Sequence, residues 1–98
     1  MPVFAVIYHY DPDKHDLRME KRSEHRALLS SLFESGMILS GGAWEDDGAP
    51  GALLVAQGPD KAAIEAAFDN DPYHSLGVLA GREIRQWAQL YGPWRDPK

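Results

Sequence analysis

Two short stretches of this chain are apolar on both of their alternating faces, and this limits the available folds more than any other feature. Between Val3 and His9, the side chains of Val3, Ala5 and Ile7 fall on one side of an extended chain. Phe4, Val6 and Tyr8 fall on the other. Between Ala52 and Gln57, the set Ala52, Leu54 and Ala56 alternates with Leu53 and Val55. A strand that alternates apolar with polar residues can leave one face in water, whereas a strand apolar on both faces must be covered twice. Both stretches are therefore expected at the centre of a sheet.

The rest of the chain supplies the remaining elements. The first strand stops at the turn-forming Asp11-Pro12-Asp13. Residues 16–35 carry a helical period, with Leu28, Leu29, Leu32 and Phe33 in one stripe, Asp16 expected as the N-cap and Gly36 as the residue past the C-cap. Met37 to Trp44 reads as a second strand, and Gly41-Gly42 marks an expected bulge or close backbone approach. A hairpin loop over residues 45–51, with Asp47-Gly48 turn chemistry, leads to the third strand. A second helix opens at Gly58-Pro59-Asp60, capped by Gly58 or by Asp60, and ends at Asp69-Asn70-Asp71-Pro72. Residues 73–81 read as a loop or short turn. Arg82 to Tyr91 reads as an edge strand, in which Ile84, Ala88 and Leu90 alternate with polar positions, and residues 92–98 form a tail.

The order β-α-β-β-α-β is the ferredoxin-like arrangement, an α+β fold with a four-stranded antiparallel sheet, here as one domain over residues 1–98. Two helices cover one face of such a sheet. A second copy of the same sheet is the simplest cover for the other, so a homodimer is expected.

Charge and composition exclude several functions. Ten Lys and Arg stand against 15 Asp and Glu, a formal net charge of −5, which argues against a nucleic-acid partner. The densest basic group, Arg18, Lys21, Arg22 and Arg26, is interrupted by Glu20 and Glu24. The longest strictly apolar run, Val3 to Tyr8, is far below the roughly 20 residues of a membrane span, and the amino terminus does not read as a signal peptide. With no cysteine, disulfides, thiolate metal sites and thiol nucleophiles are ruled out, and a cytoplasmic location fits.

Among residues able to carry chemistry, His25 stands out. It lies three and four positions before Leu28 and Leu29, so it points toward the apolar seam of its helix, with Arg22 one turn before it. Asp71 follows the second helix. A carboxylate within reach of an imidazole fixes its tautomer and stabilises the imidazolium, making an acid or base competent near neutral pH. The bland reading is a packed helix histidine and an aspartate that caps a turn. His9, Asp11, Asp13 and His15 offer metal-ligand types in a spacing that matches no ligand signature, so no metal and no cofactor are expected. Gly41-Gly42 lacks the sequel of a phosphate loop, and no serine has a nucleophile-elbow context. Trp44, Trp87 and Trp94 are packing residues, one of which could line a pocket.

Arg22-x-x-His25, Leu28 or Leu29, Gly36, Gly41-Gly42, Asp71-Pro72-Tyr73, Gly77 and Ile84-x-x-Trp87 together resemble the YciI-like, or YCII-related, proteins from about Val3 to Trp94. The resemblance implies a dimeric α/β barrel, related in fold to muconolactone isomerases, in which two ferredoxin-like sheets pack face to face. It also implies a His–Asp active site at His25 and Asp71. One branch of the family is a dehydrochlorinase of a chlorinated hydroxyquinol. Here Gln86-Trp87 stand where the family carries a Pro-Trp pair, and Pro93-Trp94 come later.

The reading is a small homodimeric, cofactor-independent lyase, isomerase or hydrolase acting on a small organic molecule. His25 transfers the proton, Asp71 orients it, and Arg22 binds a carboxylate or phenolate oxygen of the substrate. The alternative is a non-catalytic dimeric module that binds a small molecule or a partner. Geometry discriminates them: an enzyme needs His25 and Asp71 within hydrogen-bond reach beside an open pocket.

Overall fold

The β-branched and aromatic run at the amino terminus forms β1 (Val3–Tyr10), and the chain then turns through a 3-10 segment, Pro12–Lys14. The computed structural model describes residues 1–94, so the tail expected at 92–98 lies, from residue 95 on, outside the described residues. The elements that follow are α1 (His15–Glu34), β2 (Ile38–Ala43), β3 (Gly51–Gln57), α2 (Lys61–Phe68), the one-turn α3 (Pro72–Ser75) and β4 (Leu79–Gln86). All strand pairs are antiparallel in the order β2-β3-β1-β4, the ferredoxin-like sheet. The two strands apolar on both faces are the central pair.

Local chemistry explains most boundaries. Asp11 caps the 3-10 turn by accepting from the Asp13 backbone N–H at 2.9 Å. That turn places Lys14 at the N-cap of α1, where no side chain caps the helix, and Asp16 sits in the first turn instead of capping it. Gly36 follows the C-cap with φ +88°, a left-handed conformation suited to glycine, and the Met37 N–H bonds back to the Leu32 carbonyl at 3.0 Å. Asp60 caps α2 through the Ala63 N–H at 2.9 Å.

Other boundaries differ in detail. The irregularity in β2 falls between Ile38 and Ser40, and of the two readings of the glycine pair it is close approach that applies at Gly41, where a Cβ would sit 3.0 Å from Leu54 Cδ2. Residues 73–81 hold one helical turn and the start of β4. The last strand spans Leu79–Gln86 and not residues 82–91, so Ala88 and Leu90 lie beyond it. Its pairing with β1, Tyr10 opposite Leu79 through Phe4 opposite Gln86, sets those limits.

The core lies between the helices and one sheet face. Phe4, Val6 and Tyr8 from β1 pack with Ala52, Leu54 and Ala56 from β3, together with Ile38, Ile84, Ile64 and Phe68. Burying side chains of this size stabilises by roughly 1.5–3 kcal/mol each. On the opposite face the register brings Ala5 beside Val55 and Ile7 beside Leu53, while β4 contributes Glu83 and Arg85. That face is therefore apolar along its centre and charged along the β4 edge.

Gly51 is the tightest backbone position: a Cβ would meet the Tyr8 carbonyl oxygen at 2.2 Å and Trp44 Nε1 at 2.9 Å. Because the first obstacle is backbone, Gly51→Ala is expected to destabilise the fold by about 1–3 kcal/mol, read from urea unfolding. An unchanged midpoint would mean that β1 and β3 can separate without cost.

Candidate active site

Asp71 is a polar side chain with no solvent exposure, and its surroundings answer that burial with donors. It is the N-cap of α3, and Oδ1 accepts the Tyr73 backbone N–H at 3.0 Å. Oδ2 accepts the Tyr8 hydroxyl at 2.8 Å and His25 Nδ1 at 2.7 Å. Strand β1, helix α1 and helix α3 thus meet at one carboxylate.

An ionised carboxylate only accepts hydrogen bonds, so the shared proton belongs on Nδ1 of His25. The opposite ring nitrogen, Nε2, is then the basic one in a neutral imidazole. Among the described residues it has no hydrogen-bond partner, and the ring forms part of a cleft wall. Tyr73 stacks flat on the imidazole, with centroids 3.8 Å apart and planes 2° from parallel. Its hydroxyl donates to the Arg18 carbonyl at 3.0 Å, and the Tyr10 ring packs perpendicular to it with centroids 5.7 Å apart. The Arg18 guanidinium lies 4.5 Å over the Tyr10 ring, a cation–π contact. His25 is therefore fixed in plane and tilt by groups from three elements.

The cleft, about 790 Å³, opens between α1 and the β2–β3 side of the sheet. That is large enough for a small organic ligand. Helix α1 lines it with Arg18, Arg22, His25 and Arg26, and the hairpin connection adds Trp44. Half-exposed Trp44 and exposed Phe33 stand at its mouth.

Tyr8 has its hydroxyl pushed far above the ordinary phenol range, first by burial and then by the adjacent Asp71 charge and hydrogen bond. Burial is also the leading cause for Tyr10 and Tyr73, whose rises are opposed by Arg18. All three phenols stay protonated at neutral pH, and those of Tyr8 and Tyr73 act as donors.

His25 and Asp71, separated by 46 residues in the chain, are in contact, and Arg22 lies on the same cleft. The loop residues with metal-ligand chemistry are occupied otherwise. His9 pairs with Glu83 at 2.7 Å, His15 Nδ1 accepts from Arg18 at 3.2 Å, and no group of His, Asp or Glu among the described residues could hold a metal ion. No helix among them is long and apolar enough to cross a membrane. The sequence reading overlooked Tyr8, Tyr10 and Tyr73. Asp71-Pro72-Tyr73 carried a signal for the last, since a cap bond from Asp71 brings the Tyr73 N–H, and so its ring, beside the carboxylate. Arg18 and Arg26 were legible as the four-residue neighbours of Arg22.

Comparison with known proteins agrees with this fold. The family model of the YCII-related domain matches residues 3–88. A solved 5-chloro-2-hydroxyhydroquinone dehydrochlorinase from Burkholderia phenoliruptrix AC1100, in complex with 2,5-dihydroxybenzoquinone, is 21% identical with a TM-score of 0.78. The match covers 96% of this chain and 99% of that one. An antibiotic biosynthesis monooxygenase is similar at TM-score 0.57 and 12% identity, covering 93% of this chain and 100% of the other. The comparison with curated protein sequences gave no match.

The tyrosines make alkaline stability a test of this geometry. A phenol whose folded pKa is raised contributes stability that is intact below its unfolded value, 10.0, and is lost as pH rises above it, because the unfolded chain then releases the proton first. Unfolding free energy is expected to fall above pH 10.0, and Tyr8→Phe should flatten that fall. Near neutral pH the same variant should cost about 1.5–3 kcal/mol, the value of a hydrogen bond to a charged group. Urea unfolding of both proteins across this pH range reads both effects; identical curves would place the Tyr8 hydroxyl outside the carboxylate's environment.

Proposed function

We propose that this chain, which belongs to the YCII-related family, is a small enzyme that moves protons on a small organic molecule, with His25 as acid and base and Asp71 as its orienting partner. The observation that carries this reading is the 2.7 Å bond between Asp71 and His25 Nδ1 on the wall of an open cleft, which leaves Nε2 available to a ligand. Bland packing would account for a buried histidine, but not for one stacked and bonded while forming the surface of a cavity.

The chemistry follows from these roles. Neutral His25 accepts a proton from an acidic C–H or O–H of the substrate at Nε2. The imidazolium that forms is stabilised by Asp71, which is buried and needs no reorganisation. Returned to another substrate atom, the proton gives isomerisation. Retained while a leaving group departs, it gives elimination, and taken from water it gives hydrolysis. Elimination is the first reaction to assay, because a 5-chloro-2-hydroxyhydroquinone dehydrochlorinase shares the fold. Arg22, on the same cleft, is suited to hold a phenolate or carboxylate oxygen. Proton transfer of this kind uses only side chains and asks for no cofactor.

With a chlorinated hydroxyhydroquinone as substrate, His25→Ala is expected to abolish turnover. Asp71→Asn should lower kcat by about 10²–10⁴-fold, as expected for loss of general acid–base competence. Melting temperature is measured alongside, because Asp71 also caps α3. A folded His25→Ala protein with full activity would end this reading.

The protein acts, in this proposal, as a single-domain homodimer. Ala5, Ile7 and Leu53, each part-exposed beside the already buried Val55, form an apolar strip on the sheet face opposite the helix-covered core, and a second copy would bury it. An isologous interface of about 1,200 Å² or more is expected. Analytical ultracentrifugation at micromolar concentration checks this; a monomer there refutes it.

A further inference from the structure

Helix α1 carries three arginines at four-residue spacing, Arg18, Arg22 and Arg26, and all three line the cleft. Among the described residues none of them is in an ion pair, although the chain has 15 carboxylate side chains and other cations do find them. Lys21 reaches Glu24, Lys61 reaches Glu65 and Arg82 reaches Asp69. Like charges one helical turn apart repel, so an unneutralised ladder on one face works against the helix that bears it. Arg18 adds a second observation: its Nε is buried without a hydrogen-bond partner, a donor left unmatched beside the cavity. Among the described residues the one carboxylate in the cleft lining is Glu34, two turns beyond Arg26.

The cleft walls state what kind of anion this is. Exposed Trp44 and Phe33 and part-buried Tyr10 give aromatic surface to the cleft, which the His25 ring also lines, while Tyr73, 2% exposed, is spent on stacking with His25. A small inorganic anion would leave these surfaces unused, and a flexible fatty acid would gain nothing from stacking. Guanidinium is the side chain best matched to a carboxylate, through two parallel N–H bonds.

We propose that the cleft selects a planar aromatic or conjugated carboxylate, with Arg22 and Arg26 binding the carboxylate and the ring lying against the aromatic wall toward His25. This deepens the proton-transfer reading and rests on the same cleft, since it names the substrate class. Arg18, held over Tyr10, supplies fixed positive charge for a second oxygen on the ring.

The test compares hydroquinone with hydroquinone carboxylate, the same ring with one carboxylate added, by isothermal titration calorimetry. The carboxylate should bind at least about tenfold more tightly, the return of one charge-assisted hydrogen bond. Arg22→Gln/Arg26→Gln should abolish that preference while leaving the melting temperature near that of the wild type, because both side chains are exposed. A measurement on the unaltered protein guards against misfolding of the variant: raising salt from about 50 to about 500 mM should weaken the acid and not the neutral ring. Equal affinity for both ligands, tighter binding of the neutral ring, no binding of the acid at millimolar concentration, or a preference indifferent to salt each overturns the proposal. Titrating folded His25→Ala separates this idea from the one beneath it. If that variant keeps the arginine-dependent preference, selection of the anion stands even where proton transfer by His25 fails. If hydroquinones turn over with His25 while the acid has no advantage, selection alone falls.

Discussion

A carboxylate with no contact with water is the constraint around which this molecule is arranged. Asp71 has two oxygens to satisfy and receives three donors, from the Tyr8 hydroxyl, His25 Nδ1 and the Tyr73 backbone. Removing one of these donors leaves the buried charge less well matched, at a cost of about 1.5–3 kcal/mol. The three donors belong to the central strand, the long helix and the one-turn helix. Sheet, α1 and α3 are therefore pinned together at the same point where the imidazole is oriented, so one set of bonds holds the fold and fixes the ring.

The cleft has the opposite character. Its wall toward Asp71 is rigid, since Tyr73 uses its backbone N–H on Asp71, its ring on His25 and its hydroxyl on the Arg18 carbonyl. Its outer rim, with Phe33 and Trp44, is exposed and lightly packed. An imidazole held fixed beside an exposed rim combines a rigid wall with open access from solvent.

Much of this was legible in the sequence, and the failures have physical causes. Two-faced apolar strands located the sheet centre, because no other placement hides both sets of side chains. His25 was readable from its position beside Leu28 and Leu29, and the family resemblance supplied Asp71 as its partner. Tyr8 was missed as a partner of Asp71 because, in a run of Val, Ile and Phe, a tyrosine reads as one more apolar side chain. Only the fold shows that its hydroxyl ends on a carboxylate 63 residues away. The limits of β4 were misplaced because the alternation of Ile84, Ala88 and Leu90 continues past Gln86, while pairing with β1 stops where β1 itself begins. Asp16 resembled a cap, but the Asp11-capped turn had already set the entry into α1.

The separations of 46 and 63 residues between Asp71 and its two side-chain donors have a consequence for how the site comes into being. Neither bond can form until a long loop has closed, and the entropy of that closure is recovered only when the intervening strands pair. A peptide holding α1 alone would carry His25 and its arginines, but with a freely rotating imidazole. The oriented histidine is thus a product of the closed chain, and no local segment contains it in partial form.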